Sequence, residues 1–287
     1  MSSLSDLLKE RGTPALLLGA ELKEIRDLNA TIIAAPPHPP WIGSGTLQAP
    51  DGPITHDCVQ GTTEWLELRA GIPTASNFKK ILTPGGKVST QAEKYMWRLL
   101  AERLLGRPLD EEYQFKSEAM KKGSETEAEA VSYYEFQQDV ETIAVGFVTN
   151  AARTIGCSPD RFVGEKGMAQ FKCPLPETHV GYLLKKAVDA EYYPQVQGEI
   201  WIARREWNDV VSYFPGMPSA MIHVPRDEDY IKLLDSTVTT FSLELERQWA
   251  LMVERGWEPK PKERAASIHD DLRATAKEIL LAAQEKI

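Results

Sequence analysis

Cysteine is scarce in this sequence of 287 residues, and the three that occur, Cys58, Cys157 and Cys173, lie far apart. Three thiols cannot form a fully paired disulfide framework, and the lack of a C-x-x-C pair argues against a structural zinc site. Long apolar runs are missing too: no window approaches the roughly 18 apolar residues of a membrane-spanning helix, and residues 1–6 lack the basic start of a signal peptide. We therefore expect a cytoplasmic protein without a disulfide scaffold or membrane segment.

Positive charge is also in deficit. Lysine and arginine total 33 residues against 42 aspartates and glutamates, so the formal net charge is −9. This balance excludes a histone-like coat of basic residues. It leaves room for DNA binding through a locally basic cleft, because the electrostatic field at the cleft matters more than the net charge.

Apolar residues are plentiful, at 42% of the chain with seven tryptophans, which is typical of a globular protein that buries a sizeable core. Proline and glycine concentrate in residues 35–55, after two short helical patterns in residues 1–34. We therefore expect an N-terminal appendage and proline-rich connection over 1–55, a main domain over 56–258, and a charged helical tail over 259–287.

Helical periodicity lies on both sides of a central block of β-forming segments. Strands are predicted over 140–147, 161–164, 167–171, 209–214 and 219–224. Helices are predicted over 63–69, 90–105, 117–138, 179–190, 194–206 and 227–255. This order predicts an α/β fold, with a central mixed sheet flanked by helices.

The stretch that points to chemistry begins at Asp160, which precedes a predicted hairpin, and continues with Gln170 and Lys172 on the returning strand. Residues two apart in a strand share a face, so Gln170 and Lys172 should point the same way. Carboxylates at positions 160 and 170 would bind a hard divalent cation, and a neighbouring lysine would orient or deprotonate water. Position 170 is an amide here, however, and a surface hairpin with an incidental Asp and Lys has the same spacing.

Four segments, in the right order, resemble the lambda-exonuclease and YqaJ-like viral recombinase family, which belongs to the PD-(D/E)xK nucleases. They are residues 60–76, the Gly-x-x-x-Glu segment 123–127, Ser-Pro-Asp at 158–160 followed by Gln-Phe-Lys-Cys-Pro at 170–174, and Pro-Gln-Val-Gln at 194–197. The resemblance covers about residues 58–225. It implies a restriction-endonuclease-like core, so the main domain over 56–258 would be a nuclease domain.

The resemblance implies a role for each matching residue of the strand motif. Asp160 resembles the central metal ligand. Gln170 stands where the second acidic ligand belongs, and the carbonyl of Phe171 would complete that set. Lys172 resembles the catalytic lysine beside the attacking water. The implied cofactor is Mg²⁺, with Mn²⁺ as a substitute.

Other matching residues lie outside the strand motif. Glu127 resembles a helix-borne acid that supports a metal, and Gln195 a glutamine that reaches into the site. A second set resembles a pocket for the 5′-terminal phosphate of DNA, and an arginine fork with two hydroxyls suits that dianion chemically. Its members are Arg69, Ser76 and Ser158. Taken singly, each assignment has a plain alternative: Glu127 as a solvated helix residue, Gln195 as a partner in a core hydrogen bond, and Arg69 paired with Glu64 or Glu67.

Gln170 departs from the family pattern. An amide keeps an oxygen but removes one negative charge from the metal site, and two cations within roughly 4 Å need carboxylates to offset their repulsion. We therefore expect weakened metal binding and much reduced cleavage. The chain would be either an inactivated variant of an active nuclease, which the retained Asp160, Lys172 and Glu127 favour, or a natural relative that binds without cutting.

The resemblance implies a 5′-to-3′ exonuclease that degrades one strand of linear double-stranded DNA and leaves 3′ overhangs for phage-type recombination. It also implies a ring-shaped homotrimer around DNA and a single-strand annealing protein as partner, in a host's cytoplasm if a phage encodes the chain. No G-x-x-x-x-G-K-[ST] loop occurs, so ATP-driven translocation is not expected. Two rivals remain: a non-catalytic DNA-end-binding protein on the same fold, and an endonuclease of the superfamily.

Overall fold

A computed structural model describes residues 52–109 and 118–257 of the chain. The predicted tail and nearly all of the predicted appendage lie outside the described residues, so the domain boundaries stay predictions. Ile54–His56 already forms a strand.

The described residues contain eight strands in two sheets. In chain order they are β1 (Ile54–His56), β2 (Thr142–Ala144), β3 (Phe147–Thr149), β4 (Gly156–Cys157), β5 (Arg161–Val163), β6 (Gly167–Lys172), β7 (Trp207–Ser212) and β8 (Ala220–Pro225). The larger sheet has the order β2-β5-β6-β7-β8, and the smaller has β1-β3-β4. Only β6 and β7 run parallel, so the predicted mixed sheet is confirmed.

Six α-helices and two 3₁₀ helices occur in the same part of the chain. In chain order they are α1 (Thr63–Arg69), a 3₁₀ helix (Ala75–Lys80), α2 (Ala92–Leu105), α3 (Glu118–Gln138), α4 (Pro176–Lys185), a 3₁₀ helix (Ala190–Tyr192), α5 (Tyr193–Ile202) and α6 (Glu228–Glu254). None of the described helices is both long and apolar enough to cross a membrane.

Helices cover both faces of the larger sheet. On one face, α2, α5 and α6 share the main core with the sheet, and its members include Leu99, Met168 and Phe241. On the other face, α3 packs Tyr134 against Phe171 of β6, with their rings edge to face at 5.7 Å. Because helices cover both faces of β6, five of its six residues are buried. This is expected for an inner strand that runs parallel to a neighbour.

The single strand predicted over 140–147 is wrong. The structure divides this stretch between β2 in the larger sheet and β3 in the smaller one, with Val145 and Gly146 between them. A Cβ added to Gly146 would lie 2.0 Å from the carbonyl oxygen of Cys58. Glycine therefore lets the chain pass close to another backbone segment as it changes sheets.

Two predicted helices have different ends in the structure. The helix expected over 179–190 begins at Pro176 and ends at Lys185, because Lys186 takes a left-handed conformation with φ of 47°. The helix expected over 194–206 ends at Ile202, and Arg204 soon after has φ of 53°. This earlier end frees the following residues to enter β7 beside β6.

Candidate active site

Asp160 lies directly before β5, next to the strand that carries Gln170 and Lys172. Its Oδ2 accepts a hydrogen bond of 2.7 Å from the backbone N–H of Phe171. The antiparallel register of β5 and β6 places Arg161 opposite Ala169, which holds the acid beside the end of β6. The structure thus brings Asp160 and residues 170–172 together, as the spacing predicts.

Gln170 is buried, with 3% of the residue exposed. Its Nε2 donates a hydrogen bond of 3.3 Å to Oε1 of Glu199. Its Oε1 is also buried, and it has no hydrogen-bond partner among the described residues. The amide nitrogen of Gln170 is therefore held by Glu199, while its oxygen is available to accept a hydrogen bond or to bind a cation.

Glu199 is a buried carboxylate held by three amides. Its Oε1 accepts from Gln170 at 3.3 Å and from Gln195 at 2.9 Å. Its Oε2 accepts from Nδ2 of Asn208 at 3.1 Å. The predicted reach of Gln195 toward the site is thus directed at Glu199, which connects it to Gln170.

Sequence reasoning missed Glu199, although a signal was present. It follows Gln195 by one helical turn and is the single acid of an α5 otherwise rich in apolar residues. Helix α5 packs closely against Phe78 because position 198 is glycine; an added Cβ there would lie 2.5 Å from the Phe78 ring. This close approach buries the whole α5 face and takes Glu199 with it, which the sequence alone does not reveal.

The carboxyl groups of this region all resist ionisation. Burial and the charge of Asp160 raise the pKa of Glu199 to about 8, although amide hydrogen bonds and Lys172 oppose the shift. Burial raises the pKa of Asp160, against the charge of Lys172 and the N–H of Phe171. Desolvation of its carboxyl group and the charge of Asp160 likewise raise the pKa of Glu127. Such neighbouring acids are stabilised in their charged form by a bound cation.

Lys172 and Glu127 lie at the edge of this group. Lys172 is half-buried, with Nζ 5.0 Å from the centre of the Tyr192 ring, a cation–π contact. Glu127 lies on α3 as an exposed residue, yet the charges of Asp160 and Lys172 both act on its pKa. The structure therefore brings Glu127 within electrostatic range of the site, while its exposure also agrees with the solvated-helix alternative.

The oxygen donors present suit a hard cation such as Mg²⁺. Asp160 offers a carboxylate, and Gln170 offers a buried oxygen without a partner in the described part of the chain. Among residues 52–109 and 118–257, no three His, Cys, Asp or Glu side chains lie close enough to hold a metal ion by themselves. A cation here would therefore depend on neutral oxygens, with the amide of Gln170 and the carbonyl of Phe171 as candidates.

A second cluster surrounds Arg69, at the end of α1. The guanidinium is buried, with 8% of the residue exposed, and it lies 4.2 Å from the centre of the Trp65 ring. Its Nη1 donates to Oγ of Ser158 at 3.2 Å, and its Nη2 donates to Oγ of Ser76 at 3.3 Å. These hydroxyls are neutral, and Nε of Arg69 is buried without an acceptor in the described residues. Arg69, Ser76 and Ser158 therefore meet as predicted, and we call them the arginine cluster.

The hydroxyl proton of Ser158 is available for a further hydrogen bond. Its oxygen already accepts from Arg69 and from Nε1 of Trp65, the latter at 2.8 Å. A hydroxyl whose oxygen accepts two hydrogen bonds keeps its own proton for a further acceptor. An anion at the arginine cluster would therefore meet a guanidinium and a hydroxyl donor together.

The arginine cluster is joined to the acids by one short segment. Ser158 belongs to the cluster, Asp160 belongs to the acids, and Pro159 separates them. Nε2 of Gln60 donates to the carbonyls of Val145 and Pro159, at 2.8 and 3.0 Å, and holds the segment in place. We call Asp160, Gln170, Lys172 and Glu199 the acid–lysine centre. The two sites are therefore neighbours on one braced stretch of backbone.

Comparisons with known proteins agree with this geometry. The family model of the YqaJ-like viral recombinase domain matches residues 64–206. No curated protein sequence matches the chain. Among solved structures, the alkaline exonuclease LHK-Exo from Laribacter hongkongensis is 29% identical, with a TM-score of 0.59, over 68% of this chain and 98% of that chain.

Two further structures resemble the chain. LHK-Exo in complex with dAMP matches at 28% identity and a TM-score of 0.59, over 68% of this chain and 98% of that chain. A phage related exonuclease from Haemophilus somnus 129PT is 17% identical, with a TM-score of 0.51, over 63% of this chain and 96% of that chain. The last likeness concerns the fold alone. Together with the helix-flanked sheet, these structures confirm the predicted PD-(D/E)xK fold class.

Proposed function

Because the model of the YqaJ-like viral recombinase domain matches residues 64–206 and the alkaline exonuclease LHK-Exo is 29% identical, we propose that the chain is a member of that family and a metal-dependent exonuclease that degrades one strand of linear double-stranded DNA from its 5′ end. The products would carry 3′ overhangs of the kind used in phage-type recombination. The match to the family model and the similarity to solved exonucleases support nuclease activity. The polarity, the metal and the product are parts of the proposal.

The observation that carries the proposal is the placement of the arginine cluster beside the acid–lysine centre. Ser158 and Asp160 are two residues apart on one braced segment. A terminal phosphate at Arg69 would therefore place a nearby phosphodiester at Asp160 and Lys172. This geometry suits removal of short pieces from a 5′ end, and the relative solved with dAMP shows that a mononucleotide binds to a protein of this fold.

The chain's own residues would divide the reaction among them. Mg²⁺, or Mn²⁺ in its place, would supply Lewis-acid polarisation of the scissile phosphate when bound near Asp160, Gln170 and the carbonyl of Phe171. Lys172 would hold and activate the attacking water, and Glu127 would add negative charge at the rim. Gln195 would position these groups through Glu199, to which it donates a hydrogen bond.

Polarity would come from the arginine cluster. A 5′-terminal phosphate is a dianion, and the paired nitrogens of Arg69 with the donor hydroxyls of Ser76 and Ser158 match its oxygens. The burial of Arg69 under Trp65 strengthens such a contact, because water competes less with the phosphate there.

The wider setting is proposed from family resemblance. We propose a homotrimer that encloses the DNA, a single-strand annealing protein as partner, and action in the cytoplasm, that of the host if a phage encodes the chain. The exonuclease relatives support a DNA end as substrate. The acidic net charge of −9 is compatible with this if basic residues line the DNA path.

One observation favours a second candidate function. Gln170 carries no charge where the family pattern has an acid, so a protein that binds DNA ends without cutting them is the alternative. The sequence-based expectation of weakened metal binding and reduced cleavage applies to an exonuclease impaired by Gln170 as well as to this alternative.

The test compares a linear, 5′-phosphorylated duplex with a covalently closed circle of the same sequence, each with Mg²⁺ and with a chelator. We expect the linear DNA to be shortened from its 5′ ends only with Mg²⁺, and the circle to remain intact. Cleavage of the circle would indicate an endonuclease. Binding of ends without digestion, by this chain and by its Gln170→Glu variant alike, would indicate the binding protein.

A further inference from the structure

The contact between Gln170 and Glu199 pairs an amide on the strand with an acid on the helix. Gln170 on β6 provides the amide, and Glu199 on α5 provides the carboxylate, with 3.3 Å between Nε2 and Oε1. Both residues are buried, with 3% and 1% exposed. A cation bound beside Gln170 would favour the charged form of Glu199, so the negative charge missing at position 170 would then be supplied from one hydrogen bond away.

In its charged form, Glu199 dictates how Gln170 is oriented. A carboxylate only accepts hydrogen bonds, so each amide that meets it must present its nitrogen. Gln195, Gln170 and Asn208 all do so. The carbonyl oxygen of Gln170 is consequently turned away from Glu199, and it is buried with no partner among residues 52–109 and 118–257.

That free oxygen lies on the face of β6 that also carries Lys172, because residues two apart in a strand share a face. Asp160 is attached to the intervening residue, through the N–H of Phe171. The charges of Asp160 and Lys172 both act on Glu199. A buried charge at this range is weakly screened, so its effect reaches a cation held by the amide oxygen in front of it.

We propose that Glu199 is a positioning residue of the metal site: it holds the Gln170 amide by its nitrogen, turns the Gln170 oxygen toward the cation and, in the charged form that a bound cation favours, adds the negative charge that the strand position lacks. This inference rests on the proposed nuclease function. It reverses the expectation from sequence that Gln170 disables the site, because an acid on α5 lies one hydrogen bond from the amide. In this arrangement the chain as written binds the cation and cleaves DNA.

The pairing predicts different outcomes for variants in which one or both of Gln170 and Glu199 are changed. In a Gln170→Glu/Glu199→Gln double variant the pair keeps its atoms and its hydrogen bond, with donor and acceptor reversed. A single Gln170→Glu change places two carboxylates across a hydrogen-bond distance, where their repulsion disturbs both. A single Glu199→Gln change leaves the pair without charge.

The experiment measures Mn²⁺ affinity by calorimetry without DNA, and Mg²⁺-dependent digestion of linear duplex, for the unaltered chain, both single variants and the double variant. Asp209→Asn is the matched control, since Asp209 is a buried acid of β7 that accepts from Tyr134 and His223 instead. Circular dichroism and thermal unfolding of the metal-free proteins check that each variant is folded.

We expect Glu199→Gln to lower Mn²⁺ affinity and cleavage by about 10- to 100-fold, the usual effect of losing a residue that orients a metal ligand. The double variant should recover both to within about threefold of the unaltered chain, and Gln170→Glu alone should not improve on it. Asp209→Asn should keep the parental Mn²⁺ affinity. If Glu199→Gln does not fold, the double variant and Gln170→Glu alone carry the comparison.

Two results would overturn the inference. One is parental Mn²⁺ affinity in folded Glu199→Gln. The other is an unaltered chain that neither binds Mn²⁺ nor cuts, beside a Gln170→Glu single variant that does both; Gln170 would then be a missing ligand, and the nuclease function would stand. If none of the folded proteins cuts DNA, the proposed function fails, and the order of Mn²⁺ affinities still decides the role of Glu199.

Discussion

The arginine cluster and the acid–lysine centre are built in opposite ways on either side of Pro159. In the first, a buried guanidinium is surrounded by neutral hydroxyls, and Nε of Arg69 has no acceptor among the described residues. In the second, acids are surrounded by amides, and Oε1 of Gln170 has no donor within the same part of the chain. One site has spare donors, and the other has spare acceptors.

Buried polar atoms without partners destabilise a fold by roughly 1–3 kcal/mol each, so such atoms are uncommon away from functional sites. Of the four such atoms among the described residues, one belongs to Arg69 and one to Gln170, in two neighbouring clusters of opposite sign. An anion would complete the arginine cluster, and a cation would complete the acid–lysine centre. The difference teaches that the two clusters suit ligands of opposite charge, so that on the proposed function one would hold the terminal phosphate and the other would cut beside it.

The largest effect should follow from removing Lys172. We expect Lys172→Ala to slow digestion of linear duplex by about 100-fold or more, the usual contribution of a group that activates water. Binding of a 5′-phosphorylated end should persist, because the arginine cluster is untouched. Digestion rates and end affinities by fluorescence anisotropy would check this. Equal loss of binding and cleavage would show that the two clusters do not act separately.

Arg69→Ala should have the next largest effect, and it should depend on the end group. Loss of a charge-assisted contact worth about 1.5–3 kcal/mol should slow digestion of 5′-phosphorylated ends by roughly 10- to 100-fold. Digestion of 5′-hydroxyl ends should change much less. The control is Arg69→Lys, which keeps the charge without the fork and should give an intermediate loss. An equal effect on both ends would remove the phosphate assignment.

The polar cluster around Asp227 differs from both sites, because each of its carboxylate oxygens has a hydrogen-bond partner. Asp227 caps α6, and its two oxygens accept from the hydroxyl of Tyr193 at 2.6 Å and the backbone N–H of Tyr230 at 3.0 Å. We expect Asp227→Ala to lower the free energy of unfolding by about 1–2 kcal/mol, as for other helix caps, without changing the digestion rate of the folded enzyme. Urea unfolding and digestion below the transition would test both parts.

The same substitution should show a defined pH dependence. The hydrogen bonds from Tyr193 and Tyr230 lower the pKa of Asp227 below its ordinary value of 3.8. A lowered pKa means that the charged cap stabilises the fold fully above that value, and that this contribution is lost as the pH falls through the lowered pKa. The difference in free energy of unfolding between the unaltered chain and Asp227→Ala should therefore be constant near neutral pH and shrink below about pH 3.8. A difference that grew on acidification would contradict the assignment.

Much of the site could be predicted from the sequence because it depends on local spacing. The hairpin brings Asp160 to β6, and the two-residue period places Gln170 and Lys172 on one face. The four motifs also anticipated the meeting of Arg69 with Ser158, 89 residues apart in the chain. The roles of these residues stay predictions until the experiments above are done.

Other features could not be predicted from spacing. The division of 140–147 between two sheets depends on the close passage of Gly146 by Cys58, a contact between distant segments. The importance of Glu199 depends on how deeply α5 lies against Phe78. An acid in a helix is usually solvated, and only its surroundings show that this one is buried among amides.

The sequence by itself determined the α/β fold class, the order of the helices and of strands β5 to β8 around the motifs, and the presence of an acid, an amide and a lysine at one strand end. These follow from side-chain periodicity and turn chemistry, which act over a few residues. Only the tertiary structure decided where the charge of the acid–lysine centre resides, because burial and the partners of Glu199 come from segments that meet in space and are distant in the chain.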